Sequence, residues 1–264
     1  MNAIAEFRKV CEESAKAGGE VLLDWAGRFH VKEKGRSDLV TEADVASQEV
    51  IRNRLLAAFP GHGFLAEENE QIASREDGLR WIVDPLDGTM NYVHGMPNYS
   101  VSIALEQRGT VLVGTVYDPV SRECFSAVRG QGAWLNDQPI RASVTTSLSE
   151  ALVAVSFAAH VRRGDPEIAE FIEVMLQAQG TRRMGSSALN LCYLGAGRFD
   201  GYWSRATKVW DIAAGALVVS EAGGVITAFE GGPLDLNRPQ FVAAATPQLH
   251  SELRSVLLGE LPAG

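Results

Sequence analysis

The segment WIVDPLDGTMNYVH, residues 81–94, constrains the fold of this chain more than any other. Its large apolar residues between polar stretches are typical of a buried strand. Pro85 predicts that this strand stops there, because proline cannot donate to a sheet ladder. Asp84 and Asp87 would then lie at the carboxyl end of the strand, where open α/β sheets usually place ligands.

The residues that follow Asp87 predict an anion-binding element beside these carboxylates. Gly88 permits a close backbone approach or a positive φ, and Thr89 is a good helix N-cap. Backbone amides at a helix start attract anions, and paired carboxylates attract cations. From these residues alone two interpretations stay open: a cation site, or an acidic turn in which Asp84 only precedes a proline.

Length and charge narrow the class of protein. A chain of 264 residues suits one large domain or two closely packed subdomains, and we divide it into residues 1–141 and 142–264. The net charge of −9 argues against a broad nucleic-acid surface. An acidic protein can still bind an anionic substrate where metal ions reverse the local field.

The cysteines and the N-terminus indicate a cytoplasmic protein. The three cysteines are odd in number and widely spaced, which fits buried thiols in a reducing compartment. The first residues carry charges throughout and lack the apolar core of a signal peptide. No uncharged apolar run approaches the ~20 residues of a membrane helix.

The N-terminal half is predicted to contain two helices and an antiparallel meander. The amphipathic helix covers Asn2–Trp25, and a second helix runs from Thr41 to about Phe59 before Pro60. Phe29–Leu39 is predicted as a loop or loose hairpin, and Asn69–Gly78 as a mobile loop. From Tyr99 to Val128 the apolar residues alternate with a period of two, which predicts the meander.

The C-terminal half alternates strands with helices, which predicts a covered, mixed sheet. A helix starts at Asp165-Pro166-Glu167, with Ile168, Phe171, Ile172 and Met175 as its predicted buried face. We therefore expect a layered α+β or α/β fold, antiparallel-rich in its first half, with the site between the two halves.

Four carboxylates at predicted element ends form the candidate site. They are Glu67, Asp84, Asp87 and Asp211. Oxygen ligands suit Mg²⁺, Mn²⁺ or Ca²⁺, and two such ions ~4 Å apart could activate water and stabilise a leaving oxygen. Alternatives stay open, since Asp211 could be a helix N-terminal acid and Glu67 part of a solvated pair.

The chain resembles the inositol monophosphatase family of metal-dependent, lithium-sensitive phosphatases. Five segments match family motifs in order across nearly the whole chain: SDLVTEAD (37–44), GFLAEE (63–68), WIVDPLDGTMNYVHGMP (81–97), GSSALNLCYLGAGRFDGYW (185–203) and WDIAAGALVVSEAGG (210–224). The resemblance implies the αβαβα sugar-phosphatase sandwich and a homodimer. It implies two or three Mg²⁺ ions per site, with Mn²⁺ as a substitute and Li⁺ and Ca²⁺ as inhibitors.

The same resemblance assigns roles to individual residues. The implied metal ligands are the carboxylates of Glu67, Asp84, Asp87 and Asp211 with the Leu86 carbonyl. Glu67, Thr89 and Asp44 would orient the attacking water, and Asp44 also fits a variant capping box with Thr41. Substrate contacts are implied for Asp87, Gly88, Thr89, Gly185, Ser186, Ser187, Ser204 and Asp211. Lys34 is read as a solvated loop lysine, and His94 as a structural contact.

The implied activity is hydrolysis of inositol 1-phosphate by direct attack of metal-activated water, without a phosphoenzyme. One position departs from the family: Ser204 stands where many inositol-preferring members have Glu, and Arg205 and Lys208 add positive charge nearby. The alternatives are therefore phosphatases of the same fold acting on fructose 1,6-bisphosphate, histidinol phosphate or 3′-phosphoadenosine 5′-phosphate. A regulatory protein that binds transcription or ribosome machinery is a further alternative.

Overall fold

The computed structural model describes residues 3–35, 38–68, 70–158 and 160–260. Its helices are α1 Ala3–Trp25, α2 Glu42–Ala58, α3 Thr89–Val93, α4 Pro166–Gln177, α5 Ser187–Gly195, α6 Val209–Glu221 and α7 Pro247–Leu257, with a 3₁₀ turn at Leu148–Glu150. The predicted first residue of α1, Asn2, lies outside the described residues.

Residues 63–139 build an eight-stranded sheet. Its strands are β3 Gly63–Ala66, β4 Glu70–Ile72, β5 Leu79–Asp87, β6 Ser100–Gln107, β7 Thr110–Asp118, β8 Glu123–Val128, β9 Gly132–Leu135 and β10 Gln138–Pro139. The spatial order is β10-β9-β8-β7-β6-β5-β3-β4. Among the described strands of this sheet, only β3 and β5 are parallel neighbours, so the predicted antiparallel character and meander are confirmed.

Two further groups of strands complete the fold. A hairpin of β1 Val31–Gly35 and β2 Asp38–Thr41 precedes α2, as predicted. The C-terminal sheet contains β11 Leu152–Ser156, β12 Gly180–Arg182, β13 Gly201–Ser204, β14 Val225–Ala228 and β15 Phe241–Ala244. Its order is β12-β11-β13-β15-β14, parallel around β11 and antiparallel around β15, which confirms the predicted mixed sheet.

The helices cover both sheets and give five layers. Helices α1 and α2 pack on one face of the large sheet, α5 and α6 lie between the sheets, and α4 and α7 cover the second sheet. Four apolar clusters fill the four interfaces between these layers. A Cβ on Gly114 would lie 2.9 Å from the Ala214 Cα, so this glycine lets α6 approach β7 closely. The predicted αβαβα sandwich is therefore confirmed.

The division at residues 141 and 142 stays a prediction. The segment that joins the two sheets runs between β10 and β11, in agreement with the placement of that boundary. However, α5 and α6 pack against both sheets, so the two halves share one middle layer. None of the helices in the described ranges is both long and apolar enough to span a membrane.

The predicted end of the central strand at Pro85 is wrong. Strand β5 continues to Asp87, because Pro85 lies in a β-bulge: Asp84 pairs with Ser102 and Asp87 pairs with Ser100. A bulge leaves one residue outside the ladder, so the missing proline N–H breaks no regular pair. On its other side β5 pairs with β3, and in the described part of the chain this pairing ends at Val83.

The predicted loop over Asn69–Gly78 is also wrong in part. Glu70–Ile72 forms β4, which pairs with β3 in antiparallel register. Three residues are too short to show an alternating pattern, so only the neighbouring strand reveals this edge strand. Asn69 itself lies outside the described residues.

The predicted buried face of α4 is the third error. Ile168, Ile172 and Met175 are 36%, 42% and 46% exposed, whereas Val174 is fully buried. Phe171 is partly buried and packs toward the second sheet with Val174. Apolar residues surround most of α4, so their spacing alone does not reveal which side packs inward.

Candidate active site

The parallel pair β3 and β5 brings the first acidic residues together. The Glu67 amide, just after β3, donates to the Val83 carbonyl at 3.2 Å. Glu67 therefore lies beside the end of β5, where Asp84 and Asp87 are 2% and 7% exposed. The carboxyl ends of parallel strands share one sheet edge, which places these side chains at one corner.

The bulge fixes the backbone around Asp84. The Leu86 amide donates to the Asp84 Oδ1 at 3.0 Å, and the Ser47 hydroxyl donates to the Pro85 carbonyl at 3.1 Å. Gly88 has φ +97°, and a Cβ there would lie 3.1 Å from the Asn98 carbonyl oxygen. Both the backbone conformation and the close approach therefore require glycine at this position.

Thr89 is the first residue of α3 and not its N-cap, so that part of the prediction is wrong. Gly88 occupies the cap position and provides no side-chain cap. The Thr89 hydroxyl lies 3.1 Å from the Leu86 carbonyl oxygen and 3.4 Å from the Asp44 Oδ1, and can donate to either. Thr89 is therefore not needed as a cap, and its hydroxyl faces the Asp44 carboxylate and the Leu86 carbonyl.

Asp44 is held by the predicted capping box. The Thr41 amide and hydroxyl donate to the Asp44 Oδ2 at 2.8 and 2.6 Å, and the Ala43 amide donates to the Thr41 hydroxyl at 3.2 Å. The other carboxylate oxygen is thereby turned toward Thr89. Asp44 is fully buried, and burial raises its pKa to about 6.

The N-terminus of α5 binds the carboxylate of Asp87. The Ser186 hydroxyl donates to the Asp87 Oδ2, while the Ser187 and Ala188 amides donate to Oδ1 and Oδ2 at 3.2 and 2.8 Å. Free amides at a helix start stabilise a negative charge. Ser186 also caps α5 by accepting from the Leu189 amide at 3.3 Å. These hydrogen bonds link the C-terminal half directly to strand β5.

Asp211 joins the same corner from the first turn of α6. Its Oδ2 accepts from the Lys208 amide at 2.8 Å. The Ser102 hydroxyl of β6 donates to the Trp210 carbonyl at 3.1 Å, which holds this helix start against the large sheet. Burial, then Asp87, raises the pKa of Asp211, although part of its surface remains accessible.

Glu67, Asp84, Asp87 and Asp211, which we call the acidic corner, interact unfavourably. Burial raises the pKa of Asp84 well above its usual value, and the charges of the other three raise it further. Burial also raises the pKa of Asp87 to about 6, despite three hydrogen bonds that lower it. Among the described residues, no Lys, Arg or His forms an ion pair with any of the three aspartates.

This arrangement fits a divalent cation by the chemistry of its donors. Buried carboxylates without a cation are costly, and a metal ion compensates them. In the described part of the chain, no group of three or more His, Cys, Asp or Glu side chains is arranged so that it could hold a metal ion by itself. Like charges repel, and Mg²⁺ usually completes its shell with waters and phosphate oxygens, so an open set of oxygens is compatible with it.

Comparison with known proteins identifies the family. The model of the inositol monophosphatase family matches residues 3–259. This chain belongs to the inositol monophosphatase family. It is 40% identical over 251 residues to an inositol-1-monophosphatase of Rhizobium meliloti, covering 94% of each chain. It is 41% identical over 241 residues to a Nus factor SuhB of Pasteurella multocida, covering 90% of each chain.

Solved structures agree with this assignment. The suhB protein of Bartonella henselae superposes with a TM-score of 0.91 at 38% identity, covering 96% of this chain and 98% of that one. An inositol monophosphatase from Anabaena superposes with a TM-score of 0.88 at 36% identity, covering 99% and 98%. The predicted family and fold are confirmed, and the chain is a phosphatase of a metal-dependent family.

Not every predicted site residue of this inositol monophosphatase family member lies at the corner. Ser204 ends β13, and the structure buries it completely. Its hydroxyl donates to the Ser156 carbonyl at 3.0 Å and accepts from the Ala206 amide at 3.2 Å. A substrate contact at Ser204 stays a prediction that this geometry does not support. The side chain of Lys34 lies outside the described part, and His94 is exposed where α3 ends.

Arg205, one of the two cations predicted near Ser204, is already paired. The Arg205 Nε lies 2.8 Å from the Glu170 Oε1 of α4, and its Nη1 lies 3.7 Å from Glu230. The guanidinium also stacks 3.5 Å from the centroid of the Phe229 ring. Sequence reasoning missed this pair because Glu170 is 35 residues away.

Two asparagines, one within the motif at residues 81–97 and one directly after it, were also missed. The Asn91 and Asn98 amides both donate to the Met184 carbonyl, at 2.7 and 3.0 Å. They join the loop before α5 to the segment after β5. A Cβ on Gly185 would lie 2.7 Å from the Asn91 Nδ2, so glycine is needed there for the contact. No local sequence pattern signals these contacts, because Met184 is 93 and 86 residues away from the two asparagines.

Proposed function

We propose that this chain is a Mg²⁺-dependent phosphatase that hydrolyses inositol 1-phosphate to inositol and phosphate. The observation that carries the proposal is the acidic corner, where burial and neighbouring carboxylates raise the pKa of Asp84 and of Asp211, and Lys208 only partly offsets this for Asp211. Family membership supports phosphate ester hydrolysis. The relative from Rhizobium meliloti carries the name inositol-1-monophosphatase.

In this proposal the chain supplies the ligands and aligns the reaction. Glu67, Asp84, Asp87, Asp211 and the Leu86 carbonyl would hold the metal ions. When bound, these ions neutralise phosphate charge and lower the pKa of water. Mn²⁺ would substitute for Mg²⁺, whereas Li⁺ and Ca²⁺ would inhibit.

Thr89 and Asp44 position the nucleophile. The Asp44 Oδ1, fixed by the capping box, can accept the Thr89 proton and leave the threonine oxygen to accept one from water. Glu67 is the second group that would orient this water. The water oxygen then attacks phosphorus while the ester P–O bond breaks. The proton lost by this water passes through Thr89 to Asp44, and the leaving alkoxide takes its proton from a solvent water. No side chain becomes phosphorylated.

The substrate would lie between the two helix starts. The Gly88 and Thr89 amides would hold the phosphate, which is the usual use of amides at such a turn. Gly185 and Ser187, at the start of α5, would contact the ester with Asp87. Ser186 is fully buried and its hydroxyl donates to Asp87, so the predicted substrate contact at Ser186 is not supported by this geometry.

A phosphate-release assay tests this function. Inositol 1-phosphate should be hydrolysed with Mg²⁺, stop being hydrolysed with EDTA, and recover when Mg²⁺ is added back. The screen includes fructose 1,6-bisphosphate, histidinol phosphate and 3′-phosphoadenosine 5′-phosphate, the alternative substrates. Hydrolysis of one of these alternatives without hydrolysis of inositol 1-phosphate would contradict the proposed substrate, and an absence of hydrolysis of every phosphate tested would refute the phosphatase function.

We also propose a cytoplasmic homodimer. The exposed apolar residues Ile168, Ile172, Met175 and Leu176 follow one face of α4, and a second copy would cover them. The three cysteines are buried free thiols, which suits a reducing compartment. Ile172→Glu should lower the molecular mass measured by light scattering, whereas Glu173→Gln should not. An unchanged mass for Ile172→Glu would contradict this interface.

A second candidate function comes from the relatives named Nus factor SuhB, including the one that is 41% identical. In that case this chain would bind transcription machinery through its surface. The net charge of −9 favours a protein partner over direct nucleic-acid binding. Retention of such a partner by Asp84→Asn in a pull-down would support this function, and loss of it would tie binding to the acidic corner.

A further inference from the structure

A group of hydroxyls lies where β11 and β13 end beside α5. Ser156 and Ser204 are register partners at these strand ends. Ser204 is fully buried, whereas Ser156 and Ser187 retain exposed surface. The hydroxyl of Ser204 is bound to the Ser156 carbonyl, so it supports the strand end and does not face a ligand.

The Ser156 hydroxyl connects this group to the acidic corner. Its Oγ lies 2.8 Å from the Tyr202 hydroxyl and 3.4 Å from the Ser187 Oγ. The Ser187 amide in turn donates to the Asp87 Oδ1 at 3.2 Å. A molecule whose phosphate binds near Asp87 would therefore extend its alcohol part toward Ser187 and Ser156.

The buried residues behind Ser156 hold its hydroxyl in place. Tyr202 is fully buried, and burial raises its pKa to about 12, so it remains a neutral hydrogen-bond donor. Asn190 is also fully buried near this phenol, yet neither polar atom of its amide has a hydrogen bond of normal geometry. If Tyr202 donates to Ser156, the Ser156 proton is available to an outside acceptor.

The cation that follows Ser204, Arg205, is held by Glu170 and stacked on Phe229, so it is not available to a ligand anion. The hydroxyls of Ser156 and Ser187 match a neutral polyhydroxyl group, although the exposed Arg183 lies over the Phe157 ring next to Ser156. They would bind it by exchanging hydrogen bonds with its hydroxyls.

We propose that Ser156, positioned by Tyr202, binds a hydroxyl of the alcohol part of the substrate and thereby selects polyol monophosphates. This inference rests on the proposed phosphatase function. We thereby assign to Ser156 the sugar contact that the family resemblance implies for Ser204. Tyr202 is a positioning residue, because it acts only through the Ser156 hydroxyl.

The experiment compares two substrates that share the phosphate but not the hydroxyls: inositol 1-phosphate and p-nitrophenyl phosphate. The measured quantity is the ratio of their kcat/KM values. Ser156→Ala should lower this ratio roughly five- to tenfold through the KM for inositol 1-phosphate, as expected for one lost hydrogen bond. Tyr202→Phe should lower it less, in the same direction. The matched control is Ser121→Ala, on an exposed turn between β7 and β8, which should leave the ratio unchanged.

Three outcomes would overturn the inference. The first is an unchanged ratio in both Ser156→Ala and Tyr202→Phe, and the second is a larger fall for Ser204→Ala than for Ser156→Ala. The third is a wild-type protein that hydrolyses p-nitrophenyl phosphate but no polyol phosphate, which leaves the phosphatase function intact. A wild-type protein inactive on both substrates would instead refute the proposed function itself.

Discussion

Two buried acidic groups in this molecule have opposite surroundings. Asp84 in the acidic corner and Glu170 on α4 are 2% and 7% exposed, and burial raises the pKa of each. For Glu170, Arg205 then lowers the pKa, because the guanidinium compensates the charge. For Asp84, the three nearby carboxylates raise it further.

The difference separates a structural ion pair from a candidate metal site. A fold that contains a buried carboxylate usually supplies its own counter-charge, as α4 and the segment after β13 do. At the acidic corner the chain instead gathers further negative charge, which is destabilising unless a cation binds. We therefore interpret Glu170 as part of the fold and Asp84 as part of the chemistry.

The largest expected effect is on activity at the acidic corner. Asp84→Asn preserves the size of the side chain and its acceptor for the Leu86 amide, but removes a charged metal ligand. We expect the rate of phosphate release to fall on the order of a thousandfold, because metal ions contribute several kcal/mol to such reactions. Glu170→Gln, with its fold intact, should retain most of the rate. A rate for Asp84→Asn within tenfold of wild type would contradict the assignment.

The second effect is metal-dependent stability, measured by urea unfolding with and without Mg²⁺. At about 100 times its Kd, Mg²⁺ should increase the free energy of unfolding of the wild type by about 2.7 kcal/mol. Asp84→Asn should lose this increase, and without metal it should be at least as stable as wild type, because one buried charge is gone. If Asp84→Asn gained as much from Mg²⁺ as wild type does, the ion would bind elsewhere.

The third effect concerns the Glu170–Arg205 pair. Glu170→Gln leaves Arg205 without its near partner and should lower the free energy of unfolding by about 1–3 kcal/mol; partial exposure of Arg205 keeps the loss below that of a fully buried pair. The double variant Glu170→Gln, Arg205→Met should recover part of the loss. Glu173→Gln, exposed on the same helix, is the control. Equal stability of Glu170→Gln and Glu173→Gln would show that the pair is not structural.

The smallest effect comes from His62, a buried ionisable group that belongs neither to the acidic corner nor to the Glu170–Arg205 pair. It is 3% exposed and stacked on Phe59, and burial lowers its pKa below the usual 6.5. The unfolded chain then binds the proton more readily, so stability is complete above pH 6.5 and declines as pH falls toward the lowered pKa. Urea unfolding at pH 7.5 and 5.5 should show a smaller decline for His62→Gln than for wild type. Identical declines would exclude His62 as a source of the pH dependence.

Prediction from the sequence succeeded where the residues that carry the chemistry also determine the local backbone structure. The motif at residues 81–94 placed Asp84 and Asp87 at one sheet edge, and the Thr41–Asp44 capping box follows from residue types alone. The error at Pro85 arises because the β-bulge depends on pairing with strand β6, which no local pattern encodes. The positive φ of Gly88 agrees with the prediction from the sequence, but Gly88 itself occupies the cap position predicted for Thr89.

Predictions failed where a side chain has two possible environments. The apolar residues of α4 surround the helix, so packing against the second sheet decides that Val174 is buried and Ile172 exposed. Likewise Ser204 could face a ligand or the neighbouring strand, and the register with Ser156 decides for the strand. Both outcomes depend on contacts distant in sequence.

The proposed phosphatase chemistry requires, first of all, that the acidic corner binds a divalent cation. Isothermal titration of Mg²⁺ into metal-free protein measures this binding without a substrate, and wild type, Asp84→Asn and Glu170→Gln would be compared. We predict saturable binding to wild type and Glu170→Gln, and its loss or strong weakening in Asp84→Asn. Absence of binding to wild type, or equal binding to all three proteins, would contradict a divalent-cation site at the acidic corner.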